Sequence, residues 1–289
     1  MGSKCNALEN RLIDGLFRGG ALAAGGTLNS SAVATGVWTA TTAYALGDIV
    51  IPHANMTGAG GKFLLCTTAG TSGSTNTLAV PAVGSTLTDS TVTWTAISGV
   101  PAPLTAYVAL IRATAGVSPR STAVTVGQTT VPATPNGRMY RCTTAGTTGS
   151  GEPTWGTTDG GTTSDGTAVW TDMVPDFEAF NSNVTSVEVS AGGYARVALT
   201  LSLANMAGTQ AAASTTASTG TGGTTSNNNA ITFGAPSANW GVIGAAMLVS
   251  LASGGIGYTY GVLSTPKTVN NGDPAPSFAA AALTYQEDN

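Results

Sequence analysis

An internal repeat constrains the fold of this chain more than any other sequence feature. The hexapeptide Cys66–Thr71 recurs without change as Cys142–Thr147, 76 residues later. The segment Thr91–Thr95 matches Thr167–Thr171 at the same offset of 76 residues, and each ends in Trp-Thr. A constant offset over such a span indicates two copies of one structural unit.

The repeat also extends upstream of these segments, where its offset changes. Thr42–Gly47 matches Thr122–Gly127 at an offset of 80 residues. The loop that begins at His53 is therefore four residues shorter in the second copy. Length differences within a repeat map to surface loops.

These boundaries predict three structural units. A discontinuous host domain is formed by residues 1–34, 99–118 and 175–289, and it carries module 1 (residues 35–98) and module 2 (residues 119–174). Because an insertion whose ends lie close together costs little, we expect both modules to be dispensable for folding of the host.

The composition predicts an all-β protein. Only 8% of the residues are charged and 42% are hydrophobic, which argues against disorder. Short runs rich in Thr and Val, separated by Gly and Pro, predict many short strands and a β-sandwich or jelly-roll host. One such strand is expected at Val184–Val189, where apolar and polar residues alternate.

One helix is predicted, at the N-terminus over Ala7–Arg18. Leu8, Leu12 and Leu16 recur every four residues and give this helix an apolar stripe. The stripe packs either on the chain's own sheet or on a partner subunit of a particle.

Charge and hydropathy exclude several classes of partner. The net charge is −4 and the ten basic residues are scattered, whereas nucleic-acid binding needs clustered Lys or Arg. The longest apolar run, Gly241–Ala252, is too short to span a membrane, and no secretory signal is visible. Three cysteines without a disulfide pattern fit synthesis in a reducing cytoplasm.

The sequence predicts no catalytic residue, no cofactor and no metal, and so a protein that is not an enzyme. His53 is the only histidine, and no cysteine pair has the spacing of metal ligands. Asp159 and Asp165 flank a Gly/Thr loop, and Asp89 is the counterpart of Asp165; acidic residues in such turns usually form the turn itself.

The aromatic residues divide into core candidates and one contact candidate. Trp94 and Trp170 share one repeat position and Cys66 and Cys142 share another, so all four are expected in the module cores. Trp155 follows Pro153 in a loop and has no counterpart in module 1. It is the candidate for a contact with a glycan or a partner protein.

Three segments of the repeat resemble small β-modules in virion proteins of tailed bacteriophages. They are Tyr44–Val50, the Cys-Thr-Thr-Ala-Gly-Thr strings, and the pattern Asp-x-Thr-x-x-Trp-Thr at Asp89–Thr95. Those phage modules look similar to the carbohydrate-binding modules attached to chitinases.

The host segments resemble short structural proteins of tailed phages that are often labelled tail fibre proteins. The shared strings are Leu8–Phe17, Tyr107–Leu110, Gly192–Val197, Asn229–Phe233, Trp240–Gly241 and Leu263–Val269.

The resemblance implies a non-enzymatic structural protein on the outer surface of a tailed phage virion, made in the cytoplasm of the host bacterium. Capsid decoration, or cement, is the first interpretation. The alternative is a tail fibre or baseplate adhesin whose modules bind host surface glycans. The expected partners are the major capsid protein or other virion proteins and further copies of the chain, for example in a trimer, without nucleic acid or membrane.

Overall fold

The all-β prediction is confirmed by a computed structural model that describes residues 17, 36–97, 105–202, 204–209, 219 and 223–286. Two short helices accompany the strands within this part of the chain. The predicted N-terminal helix, with Leu8, Leu12 and Leu16, lies outside the described residues except for Phe17, which is buried and contacts the Tyr285 ring.

The strands and helices follow one another in this order: β1 Ala43–Tyr44, β2 Ile49–Val50, β3 Phe63–Thr68, β4 Gly70–Thr71, β5 Thr86–Asp89, β6 Val92–Ile97, β7 Thr105–Arg112, β8 Gly116–Val117, β9 Ala123–Val124, β10 Thr129–Val131, β11 Tyr140–Thr144, β12 Gly146–Thr147, β13 Thr162–Asp165, β14 Ala168–Asp172, α1 Val174–Ala179, α2 Ser182–Thr185, β15 Val197–Thr200, β16 Met206–Ala207, β17 Thr224–Asn227, β18 Ile231–Thr232, β19 Gly241–Val249, β20 Gly257–Val269, β21 Ser277–Phe278 and β22 Thr284–Gln286.

The chain divides into two compact units. One contains β1–β6 with β16, β17 and β22, and the other contains β7–β14, both helices and β18–β20. The strands β15 and β21 each cross the division. The boundaries proposed for the host and its two modules are a different partition and stay a prediction.

Both modules are built on the same strand order. Module 1 has a four-stranded sheet in the order β2-β3-β6-β5 and a two-stranded sheet of β1 and β4. Module 2 has the order β10-β11-β14-β13, with β8 added beside β10, and a two-stranded sheet of β9 and β12. The equivalent sheets therefore reproduce the repeat that the sequence shows.

The host sheet is the four-stranded sheet β15-β7-β19-β20. Its central strand β19 is buried continuously from Ile243 to Val249, because both faces of the sheet are covered. One face carries Ala109, Ile111, Ala245 and Met247 into a cluster with Phe177 of α1.

The sequence prediction of a strand over Val184–Val189 is wrong, because this segment begins as the helix α2. The Asn181 side chain accepts a hydrogen bond from the Asn183 N–H at 2.8 Å and caps the helix. Val184 and Val187 are buried three residues apart, so their spacing is that of a helical turn rather than a strand.

Two further features of the described residues bear on function. No helix among them is long and apolar enough to cross a membrane. No group of three or more His, Cys, Asp or Glu side chains in this part of the chain is arranged to hold a metal ion.

Candidate functional site

The repeated cysteines lie at a shared irregularity in each module. The pairing of β3 with β6 shifts register between Cys66 and Thr68, and that of β11 with β14 shifts between Cys142 and Thr144. Each buried thiol donates to a carbonyl of this bulge, Cys66 to Thr68 O at 3.3 Å and Cys142 to Thr144 O at 3.2 Å. Burial, helped by the Asp48 carboxylate, raises the pKa of Cys66 to about 11, which disfavours the reactive thiolate.

A buried carboxylate lies at the centre of module 1. Asp89 Oδ2 accepts the indole N–H of Trp38 at 2.8 Å and that of Trp94 at 3.2 Å. Asp89 Oδ1 accepts the N–H of Gly73 at 2.7 Å. The neutral donors satisfy the carboxylate and fix both indole rings in the module core.

The counterpart Asp165 holds a different set of partners in module 2. It accepts the Trp170 indole N–H at 3.3 Å and the Gly149 N–H at 2.8 Å, as Asp89 does with the equivalent groups. Where module 1 has Trp38, however, Arg120 makes a bidentate ion pair with Asp165 at 2.9 and 2.7 Å. The Arg120 guanidinium also donates to the Gly151 carbonyl.

The structure places Trp94 and Trp170 fully inside their modules. Trp94 meets Tyr44 edge to face, with ring centroids 4.8 Å apart. Trp170 meets Trp155 in a similar arrangement at 6.2 Å. Trp155 therefore contacts the core tryptophan of module 2, as Tyr44 contacts that of module 1.

Trp155 is half-buried, and its polar and apolar parts are both engaged. Its ring lies 4.4 Å from that of the buried Tyr140, and its indole N–H donates to Glu152 Oε1 at 2.8 Å. Burial alone would raise the pKa of Glu152, but hydrogen bonds from the Ala133 N–H and the Trp155 indole outweigh this effect and lower it. A contact of Trp155 with a glycan or a partner protein stays a prediction. The residue also has a structural role, because its ring packs on residues of module 2.

Module 2 shares a hydrophobic core with the host sheet. Val131, Met139 and Met173 belong to the same buried cluster as Ile111 and Met247. The approach is close at Gly244 of β19, where an added Cβ would lie 2.9 Å from the Val131 side chain and 3.1 Å from the Met139 sulfur. Only glycine leaves room for this contact.

An ion pair reinforces the link between module 2 and helix α1. Arg141 of β11 donates to Asp176 at 2.9 Å, and Asn181 and Asn183 donate to the other oxygen of this carboxylate. Although burial would raise the pKa of Asp176, these hydrogen bonds and the Arg141 charge lower it. Asp176 is therefore an ionised acceptor within the contact.

A shallow cavity of about 250 Å³ lies beside α1 and is lined by Phe177, Glu178, Met247 and β20 residues that include Tyr258. Tyr260 also lines it, and its ring is stacked on that of Phe177 at 4.7 Å. Apart from the exposed Tyr258, its aromatic wall is thus committed to packing within the unit.

Comparison with known proteins finds a similarity between the C-terminal part of the chain and a family of phage proteins. Residues 178–286 match the model of the family described as Podophage GP4 fiber I protein gp80. This part of the chain resembles a phage fibre protein. No curated protein and no solved structure gives a significant match. The match supports a structural protein of a phage virion.

The matched region, residues 178–286, contains a polar network. This network gives a structural role to the Gly192–Val197 string of the sequence. Arg196 pairs with Glu188 through two hydrogen bonds of 2.7 Å and also donates to the carbonyls of Leu251 and Gly254. Tyr194 donates to Glu188 and accepts from the Leu110 N–H. The Gly192–Val197 string thereby fastens the turn after β19 to the edge of β7.

Sequence reasoning missed two groups of residues that the structure brings together. Arg120 could not be recognised as the Asp165 partner, since the repeat offset aligns it with Ala40 rather than with Trp38. The docking residues of module 2 did carry a signal. Val131, Met139 and Met173 are apolar but do not belong to the core cluster of module 2, which contains Tyr140, Cys142 and Trp170.

Proposed function

We propose that this chain is a fibre component of a tailed phage virion that displays two β-modules. The observation that carries the proposal is the family match over residues 178–286, since the described family is a phage fibre family. Nothing in that match favours capsid decoration, the first interpretation of the sequence. The alternative from the sequence, a protein of the tail, therefore becomes the proposal.

The geometry supports a structural use of the modules rather than a catalytic one. The central carboxylates Asp89 and Asp165 are buried and saturated by hydrogen bonds from indole, backbone and guanidinium donors. A general acid or nucleophile has to reach a substrate, and these groups do not. Module 2 is also packed on the host sheet, which suits a rigid spacer on a fibre.

Copy number and position on the particle test the proposal. Quantitative mass spectrometry of purified virions should give a few to a few tens of copies per particle, as tail symmetry allows. Cryo-electron microscopy with an antibody against module 1 should place the label on the tail. Several hundred copies, with label distributed over the capsid, would contradict the proposal and restore decoration.

A further inference from the structure

The two modules carry the same row of apolar residues on the outer face of their sheets. In module 1 the row runs across neighbouring strands as Val37, Ile51, Phe63 and Ile97, and the pairings Val37↔Ile51 and Phe63↔Ile97 join its members. In the second copy the same positions are Val117, at the end of the adjoining host segment, and Val131, Met139 and Met173 of module 2, with Val117 paired to Val131. We call the first set the module 1 row and the second the module 2 row.

The two rows differ in what covers them. In the module 2 row, Val131, Met139 and Met173 are buried against the host sheet, and Val131 is only 1% exposed. In the module 1 row, the equivalent Ile51 is 44% exposed and Val37 is 52% exposed. Phe63 and Ile97 are half-buried and do not belong to the core cluster of their module. Val117, the counterpart of Val37, is 41% exposed as well, so the two copies differ at the other three positions of the row. These positions are docked in module 2 and remain at least partly accessible to solvent in module 1.

One substitution within the face indicates what kind of partner module 1 accepts. The docked face of module 2 has Arg141 beside its row, and Arg141 pairs with the host carboxylate Asp176. Module 1 has Leu65 at the equivalent position. A partner of module 1 therefore needs no carboxylate at this place, and burying one against Leu65 would be unfavourable.

The whole outer face of the module 1 sheet is uncharged at its outward positions. One part is apolar and the other part consists of threonines; the accessible positions are Phe63, Leu65, Thr67, Thr86, Thr88, Thr93, Thr95 and Ile97, whereas Ile49 on the same face is buried. Two such faces can meet about a two-fold axis without placing like charges together, so the face is complementary to itself.

We propose that the module 1 row is an interaction surface for a second copy of this chain, with the outer faces of two module 1 sheets packed on each other. Two antiparallel sheets pack face to face at about 10 Å through apolar side chains. Module 2 uses the same row in this manner on the host sheet. The proposal does not depend on whether the chain sits on a fibre or on a capsid.

The size of the face sets the strength of the contact. The sheet has six residues each in β3 and β6, four in β5 and two in β2. At about 3.4 Å per residue and about 4.8 Å between strands, its flat area is on the order of 300 Å² per copy. This is less than half of what a standard stable interface buries on each partner, so the contact is weak between free chains. On a particle the copies are held close together, and the high local concentration favours it.

Sedimentation velocity of the full chain from about 1 µM to about 1 mM tests the proposal. The wild-type protein should show a concentration-dependent increase in mass. Ile51→Asp should abolish that increase, because the contact would bury two facing carboxylates. The control is Val126→Asp, which makes the same kind of change at an exposed valine of module 2 outside the row. It should leave self-association unchanged.

Circular dichroism and thermal unfolding of Ile51→Asp should match the wild type, since Ile51 is exposed. If this variant is unfolded, Val37→Asp replaces it. Self-association that is identical in the wild type and in the folded row variant would overturn the proposal. A wild-type protein whose sedimenting mass does not depend on concentration would overturn the proposal as well. This holds even if such a protein binds another virion protein through this row.

Discussion

Asp89 and Asp165 occupy the same place in the two modules but hold donors of different charge. Asp89 receives only neutral N–H groups, whereas Asp165 also neutralises Arg120, whose side chain is largely buried. Removing the charge of a carboxylate that faces a buried cation costs more than removing one that faces neutral donors, because the cation is left unpaired.

Asp165→Asn should therefore destabilise module 2 by about 3–5 kcal/mol, and Asp89→Asn should destabilise module 1 by about 1–3 kcal/mol. Hydrogen exchange measured separately over the strands of each module in urea distinguishes the two effects. The double variant Arg120→Met with Asp165→Asn should recover part of the loss. Equal losses for the two single variants would show that the Arg120 charge is unimportant.

Substitution of Trp155 can distinguish a structural role in module 2 from a role in glycan contact. Trp155→Ala should destabilise module 2 by about 2–3 kcal/mol, less than a fully buried tryptophan, because the ring covers Tyr140 while half exposed. Trp155→Phe should retain most of the stability, since it loses only the hydrogen bond to Glu152. Unchanged unfolding of Trp155→Ala, combined with loss of binding to a glycan array, would instead establish the sugar-contact role.

At the scale of elements, helix α1 is held to module 2 through Asp176. The pKa of this carboxyl is lowered in the folded protein, so its contribution to stability is present above the unfolded pKa and is lost as the pH falls through the folded one. The contact between β11 and α1 should thus weaken as the pH drops below about 4. Asp176→Asn should be less stable than the wild type at pH 7, and the difference should shrink towards pH 2 in urea titrations. A constant difference across this range would show that the ionised form of Asp176 does not stabilise this contact.

The sequence predicted an all-β chain of many short strands, which the structure has, but misassigned Val184–Val189. Repetition made the module strands recognisable, because two copies that vary independently keep only what the fold requires. The valines of Val184–Val189 alternate with polar residues, as those of a strand would. The helix there depends on the Asn181 cap and on Phe180, which has a φ of 40°. Such a local chain reversal is determined by residues that pack around it, so the spacing of apolar residues in the sequence does not predict it.

For the molecule as a whole, the repeat predicted two equivalent insertions, while the packing distinguishes them. The described core cluster of module 1 is formed by residues between Trp38 and Ala96. That of module 2 continues into the host sheet through Val131, Met139 and Met173. The host sheet around Gly244 determines which of the two similar module sheets packs on it. A comparison of the two module sequences does not include this surface and so cannot predict the difference.

Removing each module separately tests this asymmetry. Joining Ala34 to Gly99 through a Gly/Ser linker should leave the host sheet folded, because module 1 takes its core with it. Joining Val117 to Val174 should not, because it deletes Val131, Met139 and Met173 and exposes β19 around Gly244. Each large buried side chain lost from such a core costs about 2–5 kcal/mol, so the loss of three is comparable to the whole stability of a domain. The measurement is hydrogen exchange of the β7 and β19 amides in both deletion variants. Equal protection of these strands in the two variants would show that module 2 is as dispensable as the sequence first suggested.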